Sequence, residues 1–307
     1  MTHAVTGRSD GRGRVLSVGR LYCDLVFTGV PRLPTLDTEV FAEGLNLHAG
    51  GGAFITAAIF AALGRSSALA AMVPAEPFGK SVLAEIARAD VDASLCQPAA
   101  SGVAPQITVA MATGGDRAFL THNGGPALPA LDAAALRAAG ARHLHIGELR
   151  TLQEVPGLID EARAAGMTVS LDCGWDDNLD RRVADLIAAV DVFLPNQEEA
   201  RRLESLGIAA GAAPLTVVKR GAAGAVAIRG EERKSVPGAK VRVVDTTGAG
   251  DAFNGGFLDR WLDGAPLDVC LAEGNACGAA AVQATGGTGG LSELSSKRGD
   301  DRVHLRS

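Results

Sequence analysis

A glycine-rich turn followed directly by a carboxylate lies in the segment 244–257. Gly248 and Gly250 allow backbone N–H groups to converge on one point, and the apolar residues that follow predict a helix beginning there. Converging N–H groups and the positive end of a helix dipole favour an anion such as phosphate. Asp251 stands at the same spot, where a carboxylate binds an anion poorly but can accept a proton from an attacking hydroxyl. The segment therefore predicts phosphoryl transfer to a hydroxyl group.

Two other phosphate-binding motifs do not fit this sequence. The dinucleotide fingerprint GxGxxG would need a glycine where Phe253 stands. The P-loop pattern GxxxxGK[ST] would use Gly79 as its second glycine, but Pro74 holds the position of the first. For the four residues 248–251 taken alone, the alternative is an ordinary helix start that Asp251 stabilises.

The elements that must position this turn alternate between strand and helix. Strands are predicted at 14–19, 66–73, 142–146, 167–172, 191–194, 215–219 and 224–229. Helices are predicted at 52–63, 78–89, 132–139, 154–165, 181–189, 197–206, 250–262 and 266–283. This rhythm predicts a parallel sheet covered by helices. A short extended piece at 37–42 and a hairpin at 106–122 interrupt it, and they are expected to form a flap over one face.

The composition fits one large α/β domain, since 47% of the 307 residues are hydrophobic. The net charge of -6 argues against a nucleic-acid partner. The five cysteines are odd in number and lack CxxC spacing, so neither a disulfide framework nor a zinc site is expected. No apolar run reaches the roughly 18 residues of a membrane helix, and the N-terminus lacks a secretory signal. We therefore expect a cytoplasmic protein without a membrane partner, with flexible tails at 1–13 and 293–307.

The string DTTGAGDAFNGGF at 245–257 closely resembles the C-terminal signature of the PfkB, or ribokinase-like, carbohydrate kinases. The resemblance extends over about residues 14–290. It implies a single kinase domain at 14–292 of class α/β, a ribokinase-like three-layer α/β/α fold with a central, mainly parallel sheet. It also implies a small β lid formed by about 24–42 and 105–123, and a homodimer formed through that lid. The implied reaction transfers the γ-phosphate of ATP to a hydroxyl of a small sugar or sugar-like substrate.

The resemblance assigns the catalytic groups and the cations. Asp251 would be the base, and three consecutive backbone N–H groups would form the anion hole: those of Gly248, Ala249 and Gly250. Asn196 and Glu199 match the family's NxxE motif, in which Glu199 acts on Mg²⁺ through water. The alternative is that the acidic pair 198–199 only favours a first helical turn. Asp245 and Thr247 match positions that ligate K⁺ in activated members, unless Asp245 simply holds the loop by Asx-type hydrogen bonds.

The remaining matches to the family belong either to the nucleotide site or to the sugar site. Lys219 and Gly221 would line the ATP site, and Asn275 matches a position near the adenine, with a helix-surface amide as the alternative. Three residues match the sugar site: Asp24, which would bind hydroxyls, and the diglycine Gly50 and Gly51, where backbone approaches the sugar. Ile55 stands where many sugar kinases have Asn, so a hydroxyl opposite it would lose a partner. Either the substrate lacks that hydroxyl, or Asn46 or His48 binds it instead.

Three functions remain open on the sequence alone. The order of the motifs favours a sugar kinase. A nucleoside kinase of the same fold is the second, although an aromatic content of 4% offers few rings for stacking on a base. The third is a sugar- or nucleotide-binding regulator without turnover, for which an intact Asp251 would serve no purpose.

Overall fold

The alternation of strand and helix is present in the computed structural model, which describes residues 12–113 and 116–291. The strands are β1 (Arg14–Val18), β2 (Tyr22–Thr28), β3 (Gly44–Gly50), β4 (Ser67–Ala70), β5 (Met72–Val73), β6 (Gln97–Pro98), β7 (Ile107–Thr113), β8 (Asp116–His122), β9 (Ala141–Ile146), β10 (Thr168–Asp172), β11 (Val192–Leu194), β12 (Leu215–Lys219), β13 (Ala225–Arg229) and β14 (Glu232–Val236). The helices are α1 (Gly52–Ala62), α2 (Gly79–Arg88), α3 (Ala133–Ala138), α4 (Leu149–Glu154), α5 (Leu158–Ala164), α6 (Val183–Ala188), α7 (Gln197–Ser205), α8 (Ala249–Leu262) and α9 (Leu267–Ala281).

Within the described residues, eight strands form the central sheet in the order β14-β13-β12-β11-β10-β9-β1-β4. Neighbours from β12 to β4 run parallel, while β13 and β14 add an antiparallel edge. The buried residues of β1 point to both faces: Val15 joins a core cluster with α8 and α9, and Leu16 joins one with α3 to α7. Burial on both faces is what a parallel sheet between two helical layers requires. The predicted α/β class with a mainly parallel sheet is thus confirmed.

A second sheet of four strands, in the order β3-β2-β7-β8, stands apart from the central one. The hairpin expected at 106–122 is present as β7 and β8, although positions 114 and 115 of its turn lie outside the described residues. The extended piece expected at 37–42 forms no strand, and β2 and β3 lie on either side of it. Asp37 has a left-handed φ of 61°, which interrupts an extended chain. Only part of the second sheet therefore falls within the expected segment 24–42.

Other boundaries also differ from the sequence expectation. The single strand 66–73 is two, because the chain leaves the central sheet after β4 and β5 pairs with β6 instead. The helix expected at 154–165 starts only at Leu158, after the unpredicted α4 and a break at Pro156. The edge strand β14 was also not predicted.

The expected N-terminal tail is anchored at its last residues. Arg12 donates hydrogen bonds to Asp259 at 2.8 Å and to Asp263 at 2.5 Å. Arg65 bonds the same two carboxylates at 2.8 and 2.6 Å, so this ion cluster joins the chain before β1 to α8. Residues 1–11 of that expected tail, and the expected tail 293–307, lie outside the described residues. No helix in the described part of the chain is long and apolar enough to span a membrane.

Candidate active site

The glycine-rich turn starts α8, as the sequence predicted. Gly248 precedes the helix with φ 71°, a left-handed conformation that glycine adopts without strain. A Cβ on Gly248 would lie 2.7 Å from the Cα of Gly287 and 3.1 Å from the Cδ1 of Ile55. Both the backbone conformation and the close packing therefore require glycine here. The turn ends in a helix N-terminus whose first N–H groups lack intrahelical partners.

A pocket of about 730 Å³ opens in front of this helix start. It lies at the carboxyl ends of β9 to β12, the edge at which open α/β sheets bind ligands. Eight of the sequence-predicted residues line it: Asn196, Glu199, Lys219, Gly221, Ala249, Gly250, Asp251 and Asn275. Its wall also includes residues that the sequence reasoning did not assign to the site, among them Glu148 and Phe253. The predicted sugar-side residues Asp24, Gly50 and Gly51 lie outside this wall.

Asp251 is held between two helix starts. A Cβ on Gly52, the first residue of α1, would lie 2.7 Å from Oδ1 of Asp251 and 2.9 Å from the carbonyl oxygen of Gly147. The hydroxyl of Thr56 donates to the backbone carbonyl of Asp251 at 3.2 Å. The carboxylate thus packs directly against the backbone of α1, where no side chain intervenes.

The electrostatics around Asp251 make it a stronger base than an exposed aspartate. Burial, together with the carboxylate of Asp172, raises its pKa to about 7. Lys219 opposes this shift, while Glu199 and Glu148 add to it. A carboxylate with a pKa near 7 is well matched to proton abstraction near neutral pH.

A buried network lies behind the turn. The Nζ of Lys219 donates to both carboxylate oxygens of Asp172, at 2.9 and 3.0 Å, and to Oδ1 of Asn254 at 3.1 Å. The Nδ2 of Asn254 donates to Asp172 at 2.6 Å. Burial opposes the charge on Lys219, yet the carboxylates of Asp172 and Glu199 raise its pKa overall. Asn254 lies inside the recognised string, but nothing in its type or spacing assigned it a role.

The NxxE residues form the start of α7. Oδ1 of Asn196 accepts the N–H groups of Glu198 and Glu199 at 2.9 Å each, and Glu199 accepts the N–H of Asn196 at 2.7 Å. This reciprocal capping box fixes the Glu199 side chain in the pocket wall. Burial raises the pKa of Glu199 to about 7, and Asp172 adds to the shift. In the described residues, no group of three or more His, Cys, Asp or Glu side chains is arranged to hold a metal.

Asp245 ties two loops together. Its carboxylate accepts the N–H of Thr247 at 2.6 Å and the N–H of Gly286 at 2.9 Å. Asp245 is buried, and the first of these bonds is the Asx-type contact considered from the sequence.

The sugar-side residues lie where the second sheet meets α1. The carboxylate of Asp24 on β2 lies against Gly50, where a Cβ would overlap both of its oxygens. Asp24 pairs across the strands with His48, whose Nδ1 is 3.6 Å from Glu85. Burial raises the pKa of Asp24 to about 7, with His48 opposing the shift. The carboxylate of Glu85, through its hydrogen bond, raises the pKa of His48.

Three further predicted positions have specific contacts. Gly51 has φ 107°, and a Cβ there would overlap the carbonyl of Arg20. Nδ2 of Asn275 donates to the carbonyls of Val236 and Pro237 at 3.2 and 3.1 Å, so it tethers the loop after β14 to α9. Ile55 is 3% exposed, and its Cδ1 packs against Gly248 and Gly287.

Comparison with known proteins identifies the family. The model of the pfkB family carbohydrate kinases matches residues 14–294. An ATP-dependent ribose-1-phosphate kinase of Halopiger xanaduensis is 31% identical over 271 residues, covering 87% of this chain and 90% of that protein. The nucleoside kinase of Methanocaldococcus jannaschii, an archaeal member of the ribokinase family, superimposes with a TM-score of 0.77 at 20% identity, over 93% of this chain and 98% of that one.

A ribokinase of Cryptococcus neoformans var. grubii in complex with ADP has a TM-score of 0.75 at 19% identity, over 93% of this chain and 99% of its own. At these identities the two solved structures establish the ribokinase-like fold alone. The family match and the kinase relative establish the activity at the level of the family. The chain therefore belongs to the PfkB family and is an ATP-using carbohydrate kinase.

Proposed function

We propose that this kinase transfers the γ-phosphate of ATP to a hydroxyl of a small sugar or sugar-like substrate, with Asp251 as the catalytic base. The observation that carries the proposal is the position of Asp251 in the pocket wall, in the first turn of α8 and against the backbone of Gly52. The substrate hydroxyl gives its proton to Asp251 while its oxygen forms a bond to the γ-phosphorus. The bond between that phosphorus and the β–γ bridging oxygen breaks, and ADP leaves with the electron pair.

The start of α8 would stabilise the transferring group. We assign the anion hole to the N–H groups of Gly248, Ala249 and Gly250, because Gly248 adopts the left-handed turn that opens a helix N-terminus. Preorganised donors of this kind stabilise charge that develops in the transition state. Close packing of the turn on Gly287 and Ile55 supports a fixed geometry.

The pocket in front of α8 suits the nucleotide. Lys219, Gly221 and Asn275 line it together with small and apolar residues. The carboxylates of Asp172 and Glu199 face one ammonium, that of Lys219, so a cation arriving with ATP would balance a surplus of negative charge. We assign Mg²⁺ to Asn196 and Glu199, the latter through water. When bound, the ion neutralises phosphate charge.

We also propose a K⁺ site at Asp245 and Thr247, beside the anion-hole turn. The carboxylate of Asp245 accepts the N–H groups of Thr247 and Gly286, which holds a negative charge next to that turn. K⁺ dependence of turnover, with Asp245→Asn as the comparison, tests this assignment.

The sugar would lie between the second sheet and α1, bound by Asp24 and by the backbone at Gly50 and Gly51. The contact of the Asp24 carboxylate with Gly50 supports this placement. We propose that the sheet of β2, β3, β7 and β8 acts as a lid that excludes water from the reaction. Within this domain, which we assign to 14–292, the lid would close over the sugar.

One face of that lid sheet is apolar, which supports a homodimer. Strand pairing places apolar residues side by side on it: Leu25, Phe27, Leu45, Leu47, Val109, Met111 and Leu120. Leu47 is 42% exposed and Leu120 is 69% exposed. Apolar surface of this extent commonly marks an interface, so we propose that two copies meet through this face. Sedimentation of wild type against Leu47→Glu tests it, and a wild-type monomer at micromolar concentration contradicts it.

The substrate is tested by ADP release. We would use Mg·ATP with pentoses, hexoses, sugar acids, nucleosides and ribose 1-phosphate, the last because of the relative from Halopiger xanaduensis. Asp251→Asn should abolish the stimulated release. The matched control is Asp160→Asn, which changes an exposed aspartate in the first turn of α5. A nucleoside as the preferred compound would select the second function, because the fold is shared with a nucleoside kinase. Tight sugar binding without ADP release would indicate a regulator.

A further inference from the structure

The Lys219 ammonium has a hydrogen-bond acceptor inside the protein for each of its N–H groups. A lysine has three N–H donors, and here three acceptors surround Nζ: both oxygens of Asp172 and Oδ1 of Asn254, at 2.9 to 3.1 Å. Lys219 is 9% exposed, although it reaches the pocket wall. A hydrogen bond from Nζ to a nucleotide phosphate would require one of these contacts to break. The geometry therefore does not suit Lys219 to direct phosphate binding.

The same ammonium lies immediately behind the anion-hole turn. A Cβ built on Gly250 would be 3.4 Å from Nζ, so the ammonium lies directly against Gly250 of that turn, and no side chain stands between them. Asn254 is one helical turn further along α8, and it bonds both Lys219 and Asp172. The network thus joins the ends of β10 and β12 to the first turns of α8. Movement of α8 relative to the sheet would break the two contacts of Asn254, one with Lys219 and one with Asp172.

We propose that Lys219 is a positioning residue, which with Asp172 and Asn254 fixes the start of α8 and supplies the positive charge that balances Asp251. The inference rests on the proposed role of Asp251 as the base. Lys219 acts on the reaction through Asp251 and the turn, without donating a hydrogen bond to the nucleotide phosphates.

The charges that face Asp251 define in which direction each substitution should shift its pKa. Asp172 of β10, Glu199 of α7 and Glu148 before α4 disfavour its ionised form, and Lys219 of β12 favours it. From α1, the groups at this position are Gly52 and Thr56, which do not titrate. Removing the ammonium must raise the pKa of Asp251, whereas removing the carboxylate charge of Asp172 must lower it. A nearby charge typically shifts a carboxyl pKa by about one unit or more.

The experiment measures the titration of Asp251 directly. We would label aspartate with ¹³C at the carboxyl carbon and identify Asp251 by the signal lost in Asp251→Asn. The variants are Lys219→Met, Asp172→Asn and the double variant, with Lys80→Met of α2 as a control on an exposed lysine. Binding of Mg·ATP is measured on each by calorimetry. Where the panel has found a substrate, kcat and KM are measured too.

We expect the midpoint of Asp251 to rise by about one pH unit in Lys219→Met, to fall by about one unit in Asp172→Asn, and to return near wild type in the double variant. At pH 7 the upward shift alone reduces the ionised fraction about fivefold, so kcat should fall while the Kd for Mg·ATP changes less than threefold. A midpoint that stays in place in folded Lys219→Met, with Mg·ATP binding weakened tenfold, overturns the proposal. If Lys219→Met does not fold, the test is the midpoint of Asp251 in Asp172→Asn, and a midpoint that stays at the wild-type value overturns the proposal. Retained activity in Asp251→Asn would refute the proposed base and leave the titration result standing.

Discussion

Substituting Gly52 by alanine tests the packing that holds Asp251. The new Cβ would stand 2.7 Å from Oδ1 of Asp251 and 2.9 Å from the carbonyl of Gly147, and ordinary contact begins at 3.4 Å. The carboxylate must therefore retreat by about 0.7 Å, since the carbonyl belongs to rigid backbone at the end of β9. Displacements approaching 1 Å cost up to about 100-fold in rate. We expect kcat to fall about 10- to 100-fold.

We expect the protein still to fold with a lowered Tm, because the preference for alanine over glycine in a helix, up to about 1 kcal/mol, offsets only part of the cost of the contact with the Gly147 carbonyl. The assay compares kcat and Tm of Gly52→Ala with those of Gly157→Ala, which makes the same change before α5, where a Cβ meets nothing within 4 Å. The control should match wild type in both measurements. A kcat of Gly52→Ala within threefold of wild type, in a folded protein, would refute the reasoning that Asp251 must lie against α1.

Three further outcomes follow from buried charges. Arg65→Met should lower the free energy of unfolding by about 3 kcal/mol in urea titrations, since it removes a partner of the fully buried Asp259; a loss below 1 kcal/mol contradicts this. Burial lowers the pKa of His145 from 6.5 to about 4, so the unfolded chain binds a proton that the folded one does not, and stability falls as pH drops from 6.5 to 4. His145→Gln should flatten the pH dependence of the urea midpoint in that window, and an unchanged slope counts against it. Because the pKa of Asp251 is raised to about 7 and only its carboxylate accepts a proton, kcat/KM should decline tenfold per unit below that pH; a flat profile down to pH 5 is the contrary result.

The central sheet and the start of α8 could be predicted because several signals agree there. Apolar runs such as that of β1, buried on both faces, alternate with helical patterns, and parallel order follows from that alternation. Gly248, Gly250 and Asp251 combine backbone freedom, a helix N-terminus and a carboxylate within four residues. Local sequence therefore predicted where the helix begins and which groups its first turn presents.

The hairpin of β7 and β8 was predicted, whereas the other half of the lid sheet, β2 and β3, was harder to predict. β3 reads Gly-Leu-Asn-Leu-His-Ala-Gly, with glycine at both ends, and residues 29–43 separate it along the chain from its partner β2. The stretch 37–42 is β-branched and aromatic at Val40 and Phe41, which favours a strand locally. The left-handed backbone at Asp37 overrides that preference. Tertiary context, and not local propensity, sets the backbone conformation of this stretch.

The network behind the anion hole shows why the site itself was only partly predictable. Lys219, Asp172 and Asn254 come from three elements, and they meet only because β10, β12 and α8 converge at one sheet edge. Glu148 joins the pocket in the same way, from the loop after β9. Spacing along a chain reports contacts within one element, whereas these side chains approach across the fold.

Ile55 shows how the structure adds a second explanation for a single position. Its apolar side chain suggested a lost partner for a sugar hydroxyl, yet its Cδ1 packs against Gly248 and Gly287. A methyl-bearing side chain there fills the space beneath the anion-hole turn, and a polar one would be buried at a cost of about 1–3 kcal/mol without a partner. Packing at Ile55 therefore accounts for the residue without reference to the sugar. We propose that recognition of hydroxyls falls to the groups of the lid side, Asp24 and His48, whose charges respond to each other.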